Sequence, residues 1–418
     1  MGKSRVELVW AGKTSPTFPP SDPPVYRVAE FYRGASKESV SHKDDAENPE
    51  KSLVKPTGCE PDYGVANRIY AGENLAVLGG LHAEFAGKID CVYIDPPFNS
   101  QADYSQKIFL HGRARKSITL KQYGDRWDDA DYLQNMFERL TALREMLANT
   151  GSIFVHCDWH AAPALRLVCD EVFGAGNLLN EIVWVYGSGG GSRRRFGRKH
   201  DTILFYARDS RHHYFDPDAV RVPYRATIAA KRRDLFNPAG MVAPDVWEIS
   251  RPPNHSSSWV GYPTQKPLAV VERALKAACP PGGLVLDCFS GSGSTLVAAA
   301  GLGMRFIGVE ENPLGIHLTR KRLVSGGVPF GVWREEPMGK GLAASSAETL
   351  KHDPIVSGEM IDWVAVDPDY FKRGDGVFAP TSFEIPQRED LAAIPPTGRG
   401  LAMITEVTGT DHFVRLEP

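Results

Sequence analysis

No stretch of this 418-residue chain approaches the ~18 consecutive apolar residues of a membrane-spanning helix. The opening MGKSRVELVWAGKTSP lacks the apolar core of a secretory signal, so an intracellular location is expected. Six cysteines are scattered along the chain (Cys59, Cys91, Cys157, Cys169, Cys279, Cys288) with no CxxC pair. That spacing indicates neither a zinc ribbon nor a disulfide framework, and several of these residues lie in apolar runs as buried thiols. No GxxxxGK[ST] phosphate loop occurs, and there is no internal repeat. An overall excess of positive charge is missing too, since the formal net charge is −3. The chain as a whole therefore does not announce a polyanion binder.

What is present is an ordinary globular composition, 42% hydrophobic and 24% charged, with length enough for two or three domains. Charge is unevenly distributed. Between Tyr186 and Arg233 stand twelve Lys or Arg against four Asp, a local basic segment compatible with a phosphate-binding surface.

Residues 1–65, rich in Pro, Ser and mixed charge, read as a mobile segment. From 66 to 325 strand and helix patterns alternate, as in an α/β domain with a mostly parallel sheet. KIDCVYID, GSIFVHCD, EIVWVY, DTILFYAR, GLVLD and MRFIGVE are strand-like. Residues 131–148 space Leu133, Met136, Phe137, Leu140, Leu143 and Leu147 as one face of a helix. Residues 100–127 look like a long polar loop, and 186–260 form an irregular basic insertion. After about 326 the alternation fades into an appendage, in which IDWVAVDPDYF suggests a small β-rich unit for docking a partner.

Two segments carry chemistry. CVYIDPPFNS runs a buried strand into an acid, two prolines and an aromatic. Asp95 and the prolines are compatible with a simple turn. They also suit a rigid pocket at the carboxyl end of a strand, where open α/β sheets bind ligands. Pro96 and Pro97 fix φ and donate nothing, so their carbonyls remain acceptors. A carboxylate, free carbonyls and the Phe98 ring together fit a planar ring bearing an amino group. In the second segment, VLDCFSGSGSTLVAAA, Gly291 and Gly293 follow a strand that ends in Asp287. Leu296 stands where a dinucleotide fingerprint needs glycine, so a pyrophosphate cradle is not indicated. Glu310 ends the next strand, 23 residues after Asp287, where an acid meets ribose hydroxyls. The two acids fit a nucleoside that carries positive charge and no phosphate.

Asp95-Pro96-Pro97-Phe98, with Asp287-Cys288-Phe289-Ser290-Gly291-Ser292-Gly293 and Thr295, resembles the amino-group DNA methyltransferases that use S-adenosylmethionine. The tetrapeptide precedes the glycine loop by about 190 residues, as in the permuted class with catalytic motif, recognition region, then cofactor motif. YPTQKP (262–267) is similar to the segment that precedes the cofactor loop there. The resemblance spans about 67 to 325 and implies a Rossmann-like sheet with one antiparallel strand near an edge. It implies base flipping, with Asp95 and the Pro96 carbonyl drawing on the amine and Phe98 stacking on the ring. It places the cofactor on Asp287, Phe289, Gly291, Gly293, Thr295, Glu310 and Asn312. Thr264, Gln265 and Lys266 fall at the cofactor carboxylate, with helix capping as the alternative.

Arg193, Arg194, Arg195, Arg198, Lys199, Lys231, Arg232 and Arg233 become candidate phosphate contacts on double-stranded DNA. Asn99 either bonds the base or holds the turn, and Glu73-Asn74 either approaches the cofactor or caps a helix. Phe205 and Tyr206 either back the base pocket or lie in the core. His156, Asp158 and His160 read as a polar rim rather than a metal site. Asp at the first motif position leans toward N6-adenine, with N4-cytosine as the alternative. A non-catalytic DNA-binding protein on the same fold is a further one. The motif order is most similar to modification subunits of restriction systems, so a homodimer or a restriction or defence subunit is a candidate partner.

Overall fold

The computed structural model describes residues 8–32, 53–54, 67–99, 102–109, 117–125, 128–187, 193–224, 237–250, 265–335, 377–378, 400–405 and 411–416. Strands β1 (Tyr26–Tyr32), β2 (Leu53–Val54) and β3 (Arg68–Ala71) lead into helix α1 (Asn74–Phe85) and β4 (Ile89–Ile94). A hairpin of β5 (Ala102–Phe109) and β6 (Ser117–Asp125) precedes α2 (Asp129–Met146), β7 (Leu147–Cys157) and α3 (Ala162–Cys169). Next come β8 (Leu178–Val185), β9 (His200–Ala207) and the short β10 (Arg221–Val222), β11 (Met241–Val242) and β12 (Val246–Glu248). Then follow α4 (Leu268–Ala278), β13 (Leu284–Asp287), α5 (Ser294–Gly301), β14 (Arg305–Glu310), α6 (Pro313–Ser325) and β15 (Phe330–Glu335). Beyond them are β16 (Val377–Phe378), β17 (Gly400–Thr405) and β18 (Asp411–Leu416).

Eleven strands form one sheet in the order β12-β8-β9-β7-β4-β13-β14-β3-β15-β1-β2. Its centre is parallel and covered on both faces, which is why residues 91–94 of β4 and 284–286 of β13 read as apolar runs without polar alternation. Alternate residues of β4 feed two cores: Val92 and Ile94 pack toward α1, α2 and α3, and Cys91 and Tyr93 toward α4 and α5. The expected antiparallel strand is β9, which runs against both β7 and β8. A second reversed strand, β1, runs against β15.

Three expectations change. The N-terminal stretch is not uniformly mobile, because β1 joins the sheet and Trp10, 9% exposed, packs edge-on to Phe137 at 5.5 Å. Lys13 fixes the same stretch to Glu171 at 2.5 Å. β15 pairs in parallel with β3, so strands from both sides of 66–325 complete the sheet. The expected loop at 100–127 contains the β5–β6 hairpin; Ser117, Ile118, Thr119, Leu120 and Lys121 alternate polar and apolar with the period of a strand. The β-rich reading of 361–371 lies outside the described residues, although β17 and β18 do pair as an antiparallel hairpin further on. No helix among the described residues is long and apolar enough to cross a membrane.

Candidate active site

β4 and β13 are parallel neighbours in register Cys91–Val285 and Val92–Leu286, and β13 pairs with β14 through Asp287–Gly308. Three adjacent strands thus end together, and their carboxyl ends deliver Asp95, Asp287 and Glu310 to one edge of the sheet. Two motifs that are distant in the chain share a site because their strands share a ladder.

The Asp95 loop is held from several sides. The Tyr132 hydroxyl donates to the Pro97 carbonyl at 2.9 Å. Asn99 is 2% exposed, sits at φ 55° and donates Nδ2–H to Asp129 Oδ1 at 2.9 Å. A non-glycine residue in the left-handed region costs about 1–2 kcal/mol, so this hydrogen bond maintains the turn against strain. Of the two readings of Asn99, the turn is the one with a visible partner. The Asp95 carboxylate is asymmetric. Oδ2 accepts from Lys266 Nζ at 2.5 Å, whereas Oδ1 is buried and has no hydrogen-bond partner among the described residues. The same ammonium lies 5.1 Å from the Phe98 ring centroid.

Phe98 stacks toward His156 with a centroid separation of 6.2 Å and an interplanar angle of 18°. His156 is fully buried and no part of a rim. Its Nδ1 meets the Tyr93 hydroxyl at 2.9 Å and its Nε2 meets Asp201 Oδ2 at 3.2 Å. Burial, and then the Lys266 charge, push its pKa down. A neutral ring accepting at Nδ1 and donating from Nε2 satisfies both contacts. Tyr186 adds a second donor to Asp201 at 3.0 Å. Among the described residues no cluster of His, Cys, Asp and Glu could hold a metal ion.

Asp287 is 3% exposed and accepts the Phe289 N–H at 2.9 Å. Burial pushes its pKa up to about 7, against the pull of the Thr295 hydroxyl and the Phe289 amide. Glu310 accepts from Gly291 N at 2.6 Å and Asn312 N at 2.8 Å, and burial pushes it up to about 7 as well. Asn312 caps α6 by accepting from Leu314 N at 2.9 Å. Gly291 and Gly293 adopt φ 50° and 74°, and a Cβ on Gly293 would stand 2.6 Å from Thr319. Gly315 of α6 went unremarked in the sequence. A Cβ there would lie 2.8 Å from the Gly291 carbonyl, so its absence lets the loop close onto the helix.

Glu73, rather than Asn74, caps α1 by accepting from Ala76 N at 2.8 Å. Asn74 instead donates to the Cys288 carbonyl at 3.0 Å and accepts from Arg139 Nε at 2.5 Å, bracing the glycine loop from the side. Arg139 also pairs with Glu73. The α4 cap position is Pro267, so neither Gln265 nor Lys266 caps that helix, and Thr264 lies outside the described residues. Phe205 stacks on Phe154 at 4.2 Å, and the Tyr206 hydroxyl donates to Asp170 at 2.6 Å; both belong to the core.

The basic loop joins the carboxyl end of β8 to the start of β9. Arg193, Arg194, Arg195 and Arg198 are exposed and Lys199 is half-buried. The Arg198 guanidinium lies 3.2 Å from the ring centroid of Trp159, two residues beyond β7, so the loop stands at the sheet edge that carries Asp95. Phe196 within it is 98% exposed, an aromatic among arginines that the charge count alone passes over. Lys231, Arg232 and Arg233 lie outside the described residues.

Residues 89–320 match a protein family of the N6/N4 type, described as DNA methylase. The chain is 28% identical over 276 residues to the DNA adenine methyltransferase YhdJ of Escherichia coli (strain K12), covering 64% of this chain and 86% of that protein. It is 28% identical over 248 residues to the type II methyltransferase M.ScaI of Streptomyces caespitosus, covering 58% and 76%. Among solved structures, the PvuII DNA methyltransferase (cytosine-N4-specific) superposes with a TM-score of 0.45 at 18% identity, covering 64% of this chain and 90% of that one.

Proposed function

The chain belongs to the N6/N4 DNA methylase family, and we propose that it transfers a methyl group from S-adenosylmethionine to the exocyclic N6 amine of an adenine flipped out of duplex DNA. The observation that carries this reading is the Asp95 carboxylate at a strand end, with Oδ2 held by Lys266 and Oδ1 buried and lacking a donor among the described residues. A buried acceptor without a donor costs about 1–3 kcal/mol, and an amine N–H entering beside it offsets that cost.

The remaining residues suit the same chemistry. Asp287, Glu310 and the Gly291–Gly293 loop offer carboxylates and close backbone approach but no phosphate-binding lysine. That donor set fits a nucleoside with cationic and hydroxyl groups, so these residues, with Phe289, Thr295 and Asn312, are assigned to the cofactor. When bound there, S-adenosylmethionine supplies an electrophilic methyl group. Asp95 Oδ1 accepts an N–H of the target amine. That draws electron density back onto a nitrogen whose lone pair is otherwise delocalised into the ring. As positive charge develops on nitrogen, the carboxylate stabilises it and takes up the released proton. Phe98 stacks on the flipped base, worth about 1–3 kcal/mol for such contacts. The prolines keep the loop from relaxing when the base arrives. Arg193, Arg194, Arg195 and Arg198, with Lys199, are assigned to phosphates, and Lys231, Arg232 and Arg233 to the same role.

Adenine is favoured over cytosine by Asp at the first motif position and by the adenine-methylating relative. A cytoplasmic protein working beside a restriction or defence subunit, or as a homodimer, completes the proposal, with 326–418 as the docking region. The test uses purified protein, labelled S-adenosylmethionine and duplex DNA of mixed sequence, with digested nucleosides resolved by mass spectrometry. N6-methyladenine from the wild type and none from Asp95→Ala supports enzyme, base and residue together. N4-methylcytosine reassigns the base, and no transfer to DNA despite cofactor binding refutes the reading.

A further inference from the structure

Lys266, which its motif assigns to a cofactor carboxylate, meets the carboxylate of Asp95 in the structure. Its ammonium crosses from the start of α4 to Asp95 Oδ2 at 2.5 Å, and the two side chains are 10% and 19% exposed. Solvent screens so enclosed a pair weakly. The rest of the neighbourhood is acidic. Asp287 ends the strand beside that of Asp95, and Asp201 on β9 is joined through the His156 imidazole, at 3.2 Å, to the Tyr93 hydroxyl, at 2.9 Å. His156 carries no compensating charge, since burial and Lys266 both disfavour its protonation. Among these groups Lys266 supplies the positive charge.

That charge matters because of what Asp95 has to do. An ionised carboxylate accepts a hydrogen bond from an amine. A protonated one presents an O–H, which would bond the nitrogen lone pair that the reaction needs. An ammonium bonded to one oxygen is the partner that an ionised carboxylate takes. We propose, on the footing of the methyltransferase reading, that Lys266 is a positioning residue. It holds Asp95 as an anion with Oδ2 occupied and turns Oδ1 toward the target amine. Pairing also cancels the lysine charge locally, so a cationic cofactor entering the same edge of the sheet meets a neutral pair. This assignment replaces the grip on the cofactor carboxylate that the YPTQKP resemblance implies.

The test compares wild type, Lys266→Met and Lys266→Arg in single-turnover transfer to duplex DNA at saturating S-adenosylmethionine. Cofactor affinity is read by calorimetry and folding by thermal melts. With Oδ2 released, Asp95 loses the contact that fixes Oδ1, and transfer by Lys266→Met should be slowed at least about tenfold. Cofactor affinity should change less than about threefold, and Lys266→Arg should restore most of the rate. An affinity loss of about tenfold with the transfer rate unchanged overturns the proposal in favour of the cofactor grip. Equal slowing in Lys266→Met and Lys266→Arg overturns it in favour of a packing role. A wild type that binds cofactor and transfers nothing to DNA overturns the underlying reading instead, and the proposal with it.

Discussion

Asp287 offers a sharp test of how burial controls the cofactor edge. Replacing it with Asn keeps the local bonds in place: the amide oxygen can still accept the Phe289 N–H, and the amino group can donate to the Thr295 hydroxyl. What disappears is titration. Burial raises the carboxyl from 3.8 to about 7, so between those values the folded chain holds a proton that the unfolded chain has released. A raised acid pKa stabilises the fold most at low pH, and that stabilisation is lost as pH rises through about 7. At 1.36 kcal/mol per pH unit the full span is about 4 kcal/mol, of which roughly 2.5 kcal/mol falls between pH 5 and pH 8.

The assay is urea denaturation of wild type and Asp287→Asn at pH 5, 6, 7 and 8, comparing the two stabilities at each pH. Other titrating groups are common to both proteins and cancel in the difference. The wild type should lose roughly 2–3 kcal/mol relative to Asp287→Asn between pH 5 and pH 8. A cationic ligand beside Asp287 favours the ionised form. Binding of S-adenosylmethionine near pH 6.5 should then release a proton in the wild type, seen as a calorimetric heat that depends on buffer ionisation. The variant should release fewer. A stability difference that stays flat with pH refutes the argument that enclosure governs this carboxyl.

Two further outcomes are expected. Gly293→Ala forces an L residue to φ 74° and a methyl to within 2.6 Å of Thr319. Strain of about 1–2 kcal/mol and overpacking of about 1–3 kcal/mol together should lower stability by about 2–5 kcal/mol and weaken cofactor binding at least tenfold, read by urea titration and calorimetry. Arg198→Ala should reduce the slope of log affinity for duplex DNA against log salt by about 0.9 and leave cofactor affinity unchanged. An unchanged slope would remove Arg198 from the phosphate contacts.

Much of the centre of the molecule is legible from sequence because its strands are covered on both faces. CVYI and LVL are unbroken apolar runs, and each is followed by an acid, Asp95 or Asp287, that a buried strand does not need for its own stability. The margins are harder to read. β1 sets its charged residues, Arg27 and Glu30, three apart, which breaks the strand period of two, and the register shift between Val28 and Glu30 in its pairing with β15 absorbs the break. The 100–127 hairpin is polar enough to pass for a loop until its alternation is counted. Asn99 carries no sign in the sequence that it occupies the left-handed region. His156 looked like a rim because His156, Asp158 and His160 alternate, yet the strand continues through Cys157 and buries His156 beneath Phe98.

The contact between Lys266 and Asp95 shows where motif reading stops. The two residues are separated by 171 positions and belong to segments that the sequence assigns to different tasks. What joins them is sheet order. β4 and β13 are adjacent, α4 leads into β13, and the residue just before the α4 cap therefore lies within a side chain's reach of the β4 end. Any chain that makes these strands neighbours can bring a catalytic acid and a cation together, whichever motif comes first. The permuted order thus leaves the site's geometry intact. What that order changes is the span between the motifs, and it is this span that carries the basic β8–β9 loop to the edge where DNA would lie.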